Sequence, residues 1–295
     1  MPELPEVESA RAVIGRTALD RVIIDVNDKD TYECRPHRPG EIRAALLGRR
    51  LTAVYRRGKS IWCDSSGIGG TDAAGPALGI HLGMSGKIVV TDGHGHESDG
   101  GDYWERGRAS GDHRFTRFGL TFADGGSLLL IDPRRLGRVR LDPPVEQLGP
   151  DAQLITPAQF RAAFAKGTAP VKVRLLDQKS IAGIGNLLAD QILWRAKIRP
   201  AKPVGELTSE EVSRLLRAVR WAVRSSVAEG GVHTLPLLPF RAEGAACPRC
   251  GAPMKKSVVG GRTTWWCARE QGPGQAAGAA TAAGAATAGG GATPR

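Results

Sequence analysis

The sequence predicts an α+β fold in two parts, a β-rich first half and a helical second half, on three observations. Short β-rich runs dominate from Arg21 to about Val139, helical patterns follow a proline-rich break, and the charge balance changes across that break. Residues 1–150 carry 21 basic and 21 acidic residues, whereas residues 151–270 carry 19 basic against 9 acidic, most of the chain's net +11. A basic half joined to a neutral half points to a polyanion-binding domain beside a different one. At 295 residues the chain is long enough for two cores. It contains no run of 18 apolar residues, so no helical membrane span is expected. The acidic N-terminus lacks the basic start and apolar segment of a signal peptide, and a cytoplasmic protein is expected.

The elements follow in order. MPELPEVE opens the chain with two prolines and three glutamates, and VESARAVIGRTA reads as a short amphipathic helix stopped at Gly15. RVIIDV, RLTAVYRR, SIWCD, LGIHLG, KIVVTD, RFGLTF, SLLLID and GRVRL read as strands between Gly and Asp turns, the spacing of a sandwich or barrel. Residues 64–77 and 91–112 read as long mobile loops, and His94 and His96 as members of a flexible polar loop rather than metal ligands. LDPPVEQLGPD, 141–151, is the expected linker. Beyond it TPAQFRAAFAK has a Thr cap and Pro at the first helical position. VKVRLLDQ and NLLADQILWRAK are two further helices, and TSEEVSRLLRAVRWAVRSSV opens on a capping box, Thr208 with Glu211. The expected division is thus 1–140, linker 141–151, helical 152–240, a cysteine hairpin 241–270, and a low-complexity disordered tail 271–295.

Three segments carry chemistry. In QKSIAGIGNLLADQ the GIG turn lets backbone amides at a helix start approach an anion, and Asn186 there can cap the helix or donate to a phosphate oxygen, with Lys172, Arg174 and Lys179 nearby. Cys247, Cys250 and Cys267 in CPRC…TTWWC have the spacing of a zinc hairpin, but Glu270 stands where a fourth cysteine would complete it. Arg262 falls at the hairpin tip, where a merely solvated arginine is the plainer alternative. In the neutral half, Lys59 follows a glycine at a strand start, while Met84 and Arg134, Arg135 and Leu136 sit on turns. From there they could wedge into a duplex and fill the hole left by an extruded base.

Together, MPELPEVE, RRGKSIW, HLGMSG, DPRRLG, QKSIAGIGNLLAD and CPRC…GGRTTWWC, in that order over residues 1–270, resemble the formamidopyrimidine-DNA glycosylase/endonuclease VIII family. The resemblance implies an N-terminal helix plus β-sandwich, then a helix–two-turn–helix domain with a zinc-finger-like β-hairpin. It implies double-stranded DNA carrying oxidised bases or abasic sites as partner, a monomer, a nucleoid-associated location, and bifunctional base excision: removal of an oxidised base, then strand cleavage. Pro2, exposed by removal of Met1, is a secondary amine that titrates near pH 8, so a useful fraction is nucleophilic at neutral pH. Glu3 is expected to shuttle protons and Glu6 to tune the amine. The resemblance gives Lys59 proton transfer and phosphate contact, Arg262 the DNA backbone, Asn186 and Lys172 the lesion phosphate, and Met84, Arg134 and Leu136 the duplex gap.

Four departures stand out: Gln191 for an acidic residue, Gly111 for a basic one, Glu270 for the fourth cysteine, and a short segment before Cys247 where a base-covering loop is usual. Oxidised purines are the leading substrate. An endonuclease VIII-like pyrimidine specificity, a damaged-DNA-binding module without base excision, and a zinc-ribbon RNA-binding protein are the competitors.

Overall fold

The computed structural model describes residues 2–70, 73–102 and 113–272. Helix α1 (Leu4–Thr17) opens on a reciprocal capping box between Glu3 and Glu6 with Pro in its first turn. It runs through Gly15 instead of stopping there. A side chain at Gly15 would press on Val54 Cγ1 at 3.2 Å, so close packing on the sheet outweighs the ~1 kcal/mol that glycine costs a helix.

Nine strands follow among the described residues: β1 (Ile23–Asn27), β2 (Leu51–Arg57), β3 (Ser60–Ser65), β4 (Leu78–His81), β5 (Lys87–Thr91), β6 (Glu97–Gly101), β7 (Thr116–Phe122), β8 (Ser127–Ile131) and β9 (Arg138–Leu141), with α2 (Glu41–Leu46) after β1. They form two antiparallel sheets, β1-β7-β8-β5-β6 and β2-β3-β4-β9. Val26, Phe118, Leu120 and Leu130 from the first sheet share one core with Ile61, Cys63, Ile80 and Val139 from the second, so the fold is a sandwich. β6 corrects the expected loop over 91–112, because Glu97–Gly101 pairs with β5 throughout. Gly100 explains why the local sequence hides it: a Cβ there would lie 2.6 Å from the Ser9 backbone, so only glycine lets α1 lie on this strand.

The second half holds α3 (Pro157–Ala163), α4 (Val171–Leu176), α5 (Asn186–Ala196), α6 (Ser209–Ala228), the hairpin β10 (Met254–Val259) and β11 (Arg262–Cys267), and α7 (Ala268–Gln271). Thr156 and Thr208 cap α3 and α6 through boxes with Gln159 and Glu211. The expected tail beyond residue 272 lies outside the described residues. Leu4 is buried in the core of these helices, while Val7 and Ala10, one and two turns later, lie in the sandwich core. The N-terminus thus stitches the halves together. Beside it, Arg56 on β2 bonds Glu8 on α1 at 2.8 Å and pairs with Asp151. Asp151 Oδ2 also accepts the Gly58 amide at 2.7 Å, and Gly58, at φ +58°, packs against the Ala182–Gly183 backbone.

Candidate active site

The first six residues are held by the other half of the molecule. The Leu4 amide donates to the Gly183 carbonyl at 3.1 Å. Helix α5 has glycine at its N-cap and no capping side chain of its own. Glu3 supplies one from across the chain: Oε2 accepts from the Gly185 and Leu188 amides at 2.9 and 3.0 Å, and Oε1 from Leu187 at 2.8 Å. A carboxylate at a helix N-terminus meets orphan donors and a favourable dipole together. Gly185 must be glycine, because a Cβ would lie 2.3 Å from Glu3 Cδ. Glu6 Oε1 accepts from Val232 at 2.7 Å and Oε2 from the Glu3 amide at 3.0 Å, and burial pushes its carboxyl up to about 7. Both carboxylates are therefore bound to backbone, and they fix the position of Pro2.

Pro2 lines a cavity of about 310 Å³ with Lys59, His81, Met84, Asn186 and Arg262. Burial lowers the Lys59 ammonium, opposed by the Glu3 charge and assisted by Arg262. His81 was missed in the sequence, although its place beside the HLG turn at the end of a strand could have marked it. Its Nδ1 accepts from the Gly83 amide at 3.0 Å, which leaves Nε2 as the protonated donor. Burial, then Lys59 and Arg138, depress it to about 4, so it faces the cavity as a neutral N–H. A second cavity of about 510 Å³ adjoins the first through Ser60, His81, Leu148 and Gln178, and carries Arg138, Arg140 and Lys179.

At the rim, Met84 is half-buried, while Arg134 and Leu136 are exposed, Leu136 by 40%. Their two loops hang from one buried carboxylate. Asp132 Oδ2 accepts from the Leu136 and Gly137 amides, each at 2.8 Å; Oδ1 accepts from the Arg134 amide at 3.1 Å and from the Ser85 hydroxyl, next to Met84.

Lys172 requires correction. Expected on a phosphate, it is fully buried, its Nζ bound to Asp190 at 2.6 Å, Thr264 Oγ1 at 2.8 Å and the Thr263 carbonyl at 3.1 Å. Asp190 also takes Arg241 and the Trp265 amide. This network clamps the hairpin beside its tip, one to three residues from Arg262, a cost in desolvation accepted only where every charge is paired. Asn186 joins it, donating to the Thr263 carbonyl at 3.0 Å, yet still lines the Pro2 cavity. Gln191 is explained as well, since its Oε1 accepts the Leu237 amide at 2.8 Å. The segment before Cys247 is thereby drawn under the hairpin, with Leu237 buried beside Trp194 and Trp265. Gly111 lies outside the described residues.

The Sγ atoms of Cys247, Cys250 and Cys267 all lie within 4.8 Å of one another, Cys250 and Cys267 at 3.5 Å, a spacing that three corners of a metal tetrahedron require. Burial acts to raise the Cys247 thiol, but hydrogen bonds from Trp194 Nε1 and from backbone amides bring it down to about 7. Glu270 does not complete the set. Its carboxylate pairs with Lys197 at 3.0 Å and Arg249 at 3.2 Å instead. The three thiols fit three corners of a metal site, and among the described residues no fourth His, Cys or carboxylate ligand joins them.

A sandwich and a helical half meet over Pro2, which shares one cavity with Lys59 and Arg262. Two family models match: the formamidopyrimidine-DNA glycosylase N-terminal domain over residues 1–139 and the formamidopyrimidine-DNA glycosylase H2TH domain over 148–235. The formamidopyrimidine-DNA glycosylase of Chloroflexus aggregans is 32% identical over 289 residues, spanning 90% of this chain and 97% of that protein. That of Thermus thermophilus is 32% identical, spanning 93% and 100%. Among solved structures, Lactococcus lactis Fpg bound to abasic-site DNA matches with a TM-score of 0.72 at 24% identity, over 91% of this chain and 99% of that one. MutM bound to DNA containing carbocyclic 8-oxo-G matches at 0.74, also at 24% identity, over 92% and 99%. The chain belongs to the formamidopyrimidine-DNA glycosylase family.

Proposed function

We propose that this protein is a bifunctional DNA glycosylase and abasic-site lyase of base-excision repair, directed at oxidised purines such as formamidopyrimidine and 8-oxoguanine. One observation carries the reading: Pro2 lines a single cavity with Lys59, Arg262 and half-buried Met84, while Arg134 and Leu136 stand exposed on the DPRRLG turn. Freed of Met1, the Pro2 nitrogen attacks C1′ of the damaged nucleotide. The glycosidic bond breaks, and the base departs with the bonding electrons and a proton. The sugar ring opens to an iminium, which withdraws electrons so that C2′ loses a proton and the C3′–O bond breaks. Lys59, its charge weakened by burial, handles protons at the sugar. Neutral His81 donates to a phosphate oxygen, and Arg262 neutralises the departing phosphate. Glu3 serves by holding Pro2 and α5 in register. All these groups come from one chain, so a monomer suffices.

Zinc fits Cys247, Cys250 and Cys267, and when bound it supplies a cross-link that stiffens the hairpin carrying Arg262. The oxidised-purine preference draws support from the relatives, which carry the formamidopyrimidine-DNA glycosylase name.

Borohydride trapping tests the reading. The protein, with Met1 removed, is expected to form a covalent adduct with an abasic-site duplex, and a residue retained ahead of Pro2 is expected to prevent it. Equal trapping with a blocked terminus would sink the Pro2 mechanism. Faster release of thymine glycol than of 8-oxoguanine would instead assign the pyrimidine specificity.

A further inference from the structure

Glu33 is fully buried, yet neither of its carboxyl oxygens receives a hydrogen bond. Its polar neighbour is the carboxyl group of Asp132. A methyl group on Gly137 would sit 2.7 Å from Glu33 Oε2 and 3.3 Å from Asp132 Oδ2, so both carboxyls crowd the same point under the DPRRLG turn. Two carboxylates cannot both remain charged in a dry pocket without donors. Asp132 holds four donors, the amides of Arg134, Leu136 and Gly137 and the Ser85 hydroxyl, whereas Glu33 holds none. Glu33 is left as the neutral acid, and its own proton is the one donor available to bridge the pair.

We propose that neutral Glu33 is a positioning residue that, through Asp132, holds the two loops bearing Met84, Arg134 and Leu136 in the posture that enters a damaged duplex. The proposal rests on the glycosylase reading above. Its chemistry is a switch: ionising Glu33 sets two negative charges against each other beneath the wedge, and the Asp132 anchor loosens. The other charged and titratable groups facing this point are few. Asp30, on the same segment as Glu33, bonds Arg135 at 2.8 Å. Arg117 on β7 donates to the Asp132 carbonyl at 2.9 Å and faces Asp30 at 3.9 Å. Cys34 is a neutral thiol pushed up to about 12 by burial, and His81, whose carbonyl flanks Gly137, is neutral. Arg117 favours the charged form, as does Arg135 from its pair with Asp30, and burial, then Asp132, outweigh them, raising Glu33 to about 8.

The test compares the wild type with Glu33→Gln, whose amide still donates to Asp132 and cannot ionise. Affinity for a duplex holding a tetrahydrofuran abasic analogue, relative to the undamaged duplex, is measured by anisotropy from pH 6.5 to 9.5. Pro2 chemistry plays no part in this binding, and its titration is common to both proteins. The wild-type preference is expected to fall about tenfold per pH unit above the Glu33 pKa at most, while Glu33→Gln stays level. Parallel profiles would overturn the proposal. Amide exchange on the wild type gives a second reading free of any variant. Protection of Leu136 and Gly137 is expected to drop above pH 8, and constant protection to pH 9.5 would overturn it too. If neither protein prefers the abasic duplex at any pH, the glycosylase reading fails, while the exchange experiment still judges the loop.

Discussion

Two pairs of buried carboxyl groups flank the cleft, and they solve the same problem in opposite ways. At the chain terminus, Glu3 takes three backbone amides and Glu6 takes two, so each acid has its own donors. Under the wedge loops, Asp132 takes every donor and Glu33 takes none. Burial sets the proton affinity of an acid only until donors are counted. The terminal pair fixes Pro2 by tying two halves of the protein together, and it uses backbone amides from α5 to do so. The pair under the DPRRLG turn holds two surface loops through Asp132 alone.

Separating the nucleophile from its supports gives the largest expected effect. A residue retained ahead of Pro2 leaves both carboxyl pairs intact, and trapped adduct should fall by about a thousandfold or more, as losses of a nucleophile do; duplex affinity measured alongside should barely change. Glu3→Gln attacks the terminal pair itself. It sets an amide donor against the amides of Gly185, Leu187 and Leu188, and should cost about 3 kcal/mol in urea unfolding. Asp132→Asn, by contrast, should leave trapping on a preformed abasic site largely intact while lowering lesion discrimination. Equal trapping losses in both variants would erase the distinction between the pairs.

Protons sharpen the contrast next. Glu6 is raised from 4.5 to about 7, so the folded state binds the extra proton across that window. Its contribution is complete below pH 4.5 and fades as pH rises to 7, by at most about 3 kcal/mol. His81, depressed from 6.5 to about 4, runs the other way: its contribution is complete above 6.5 and fades toward 4. Urea midpoints of Glu6→Gln against wild type from pH 4.5 to 8 should isolate the falling component. The smallest effect concerns the hairpin. Glu270→Ala should leave zinc content unchanged by metal analysis and cost no more than about 1 kcal/mol, since its partners are partly exposed ion pairs; Cys267→Ser should lower the zinc content.

Much of the fold was legible because it is local. Alternating apolar runs marked eight strands, and Thr156 and Thr208 announced two helices through side chains three residues from their partners. β6 was not legible, because ESDGG has no apolar alternation and becomes a strand only through pairing with β5 and packing under α1. Nor was α2 read from EIRAAL, a turn and a half after a glycine that buries only Ile42 and Leu46. In the site, Pro2, Lys59 and Arg262 were named from motifs and do line one cavity. His81 and Glu33 were not: the HLG turn at a strand end is a local mark for His81, but its burial and that of Glu33 come from segments distant along the chain.

By itself, then, the sequence determined the order of elements and the charge asymmetry, because hydrophobic period, capping residues and net charge are properties of neighbours along the chain. Tertiary structure alone decided which charges are usable. Lys172 lost its phosphate to Asp190, Glu3 became the cap of a helix more than 180 residues away, and Glu33 was left to keep its proton. The reason is that a charge is governed by the donors and water around it, and folding brings those from distant parts of the chain.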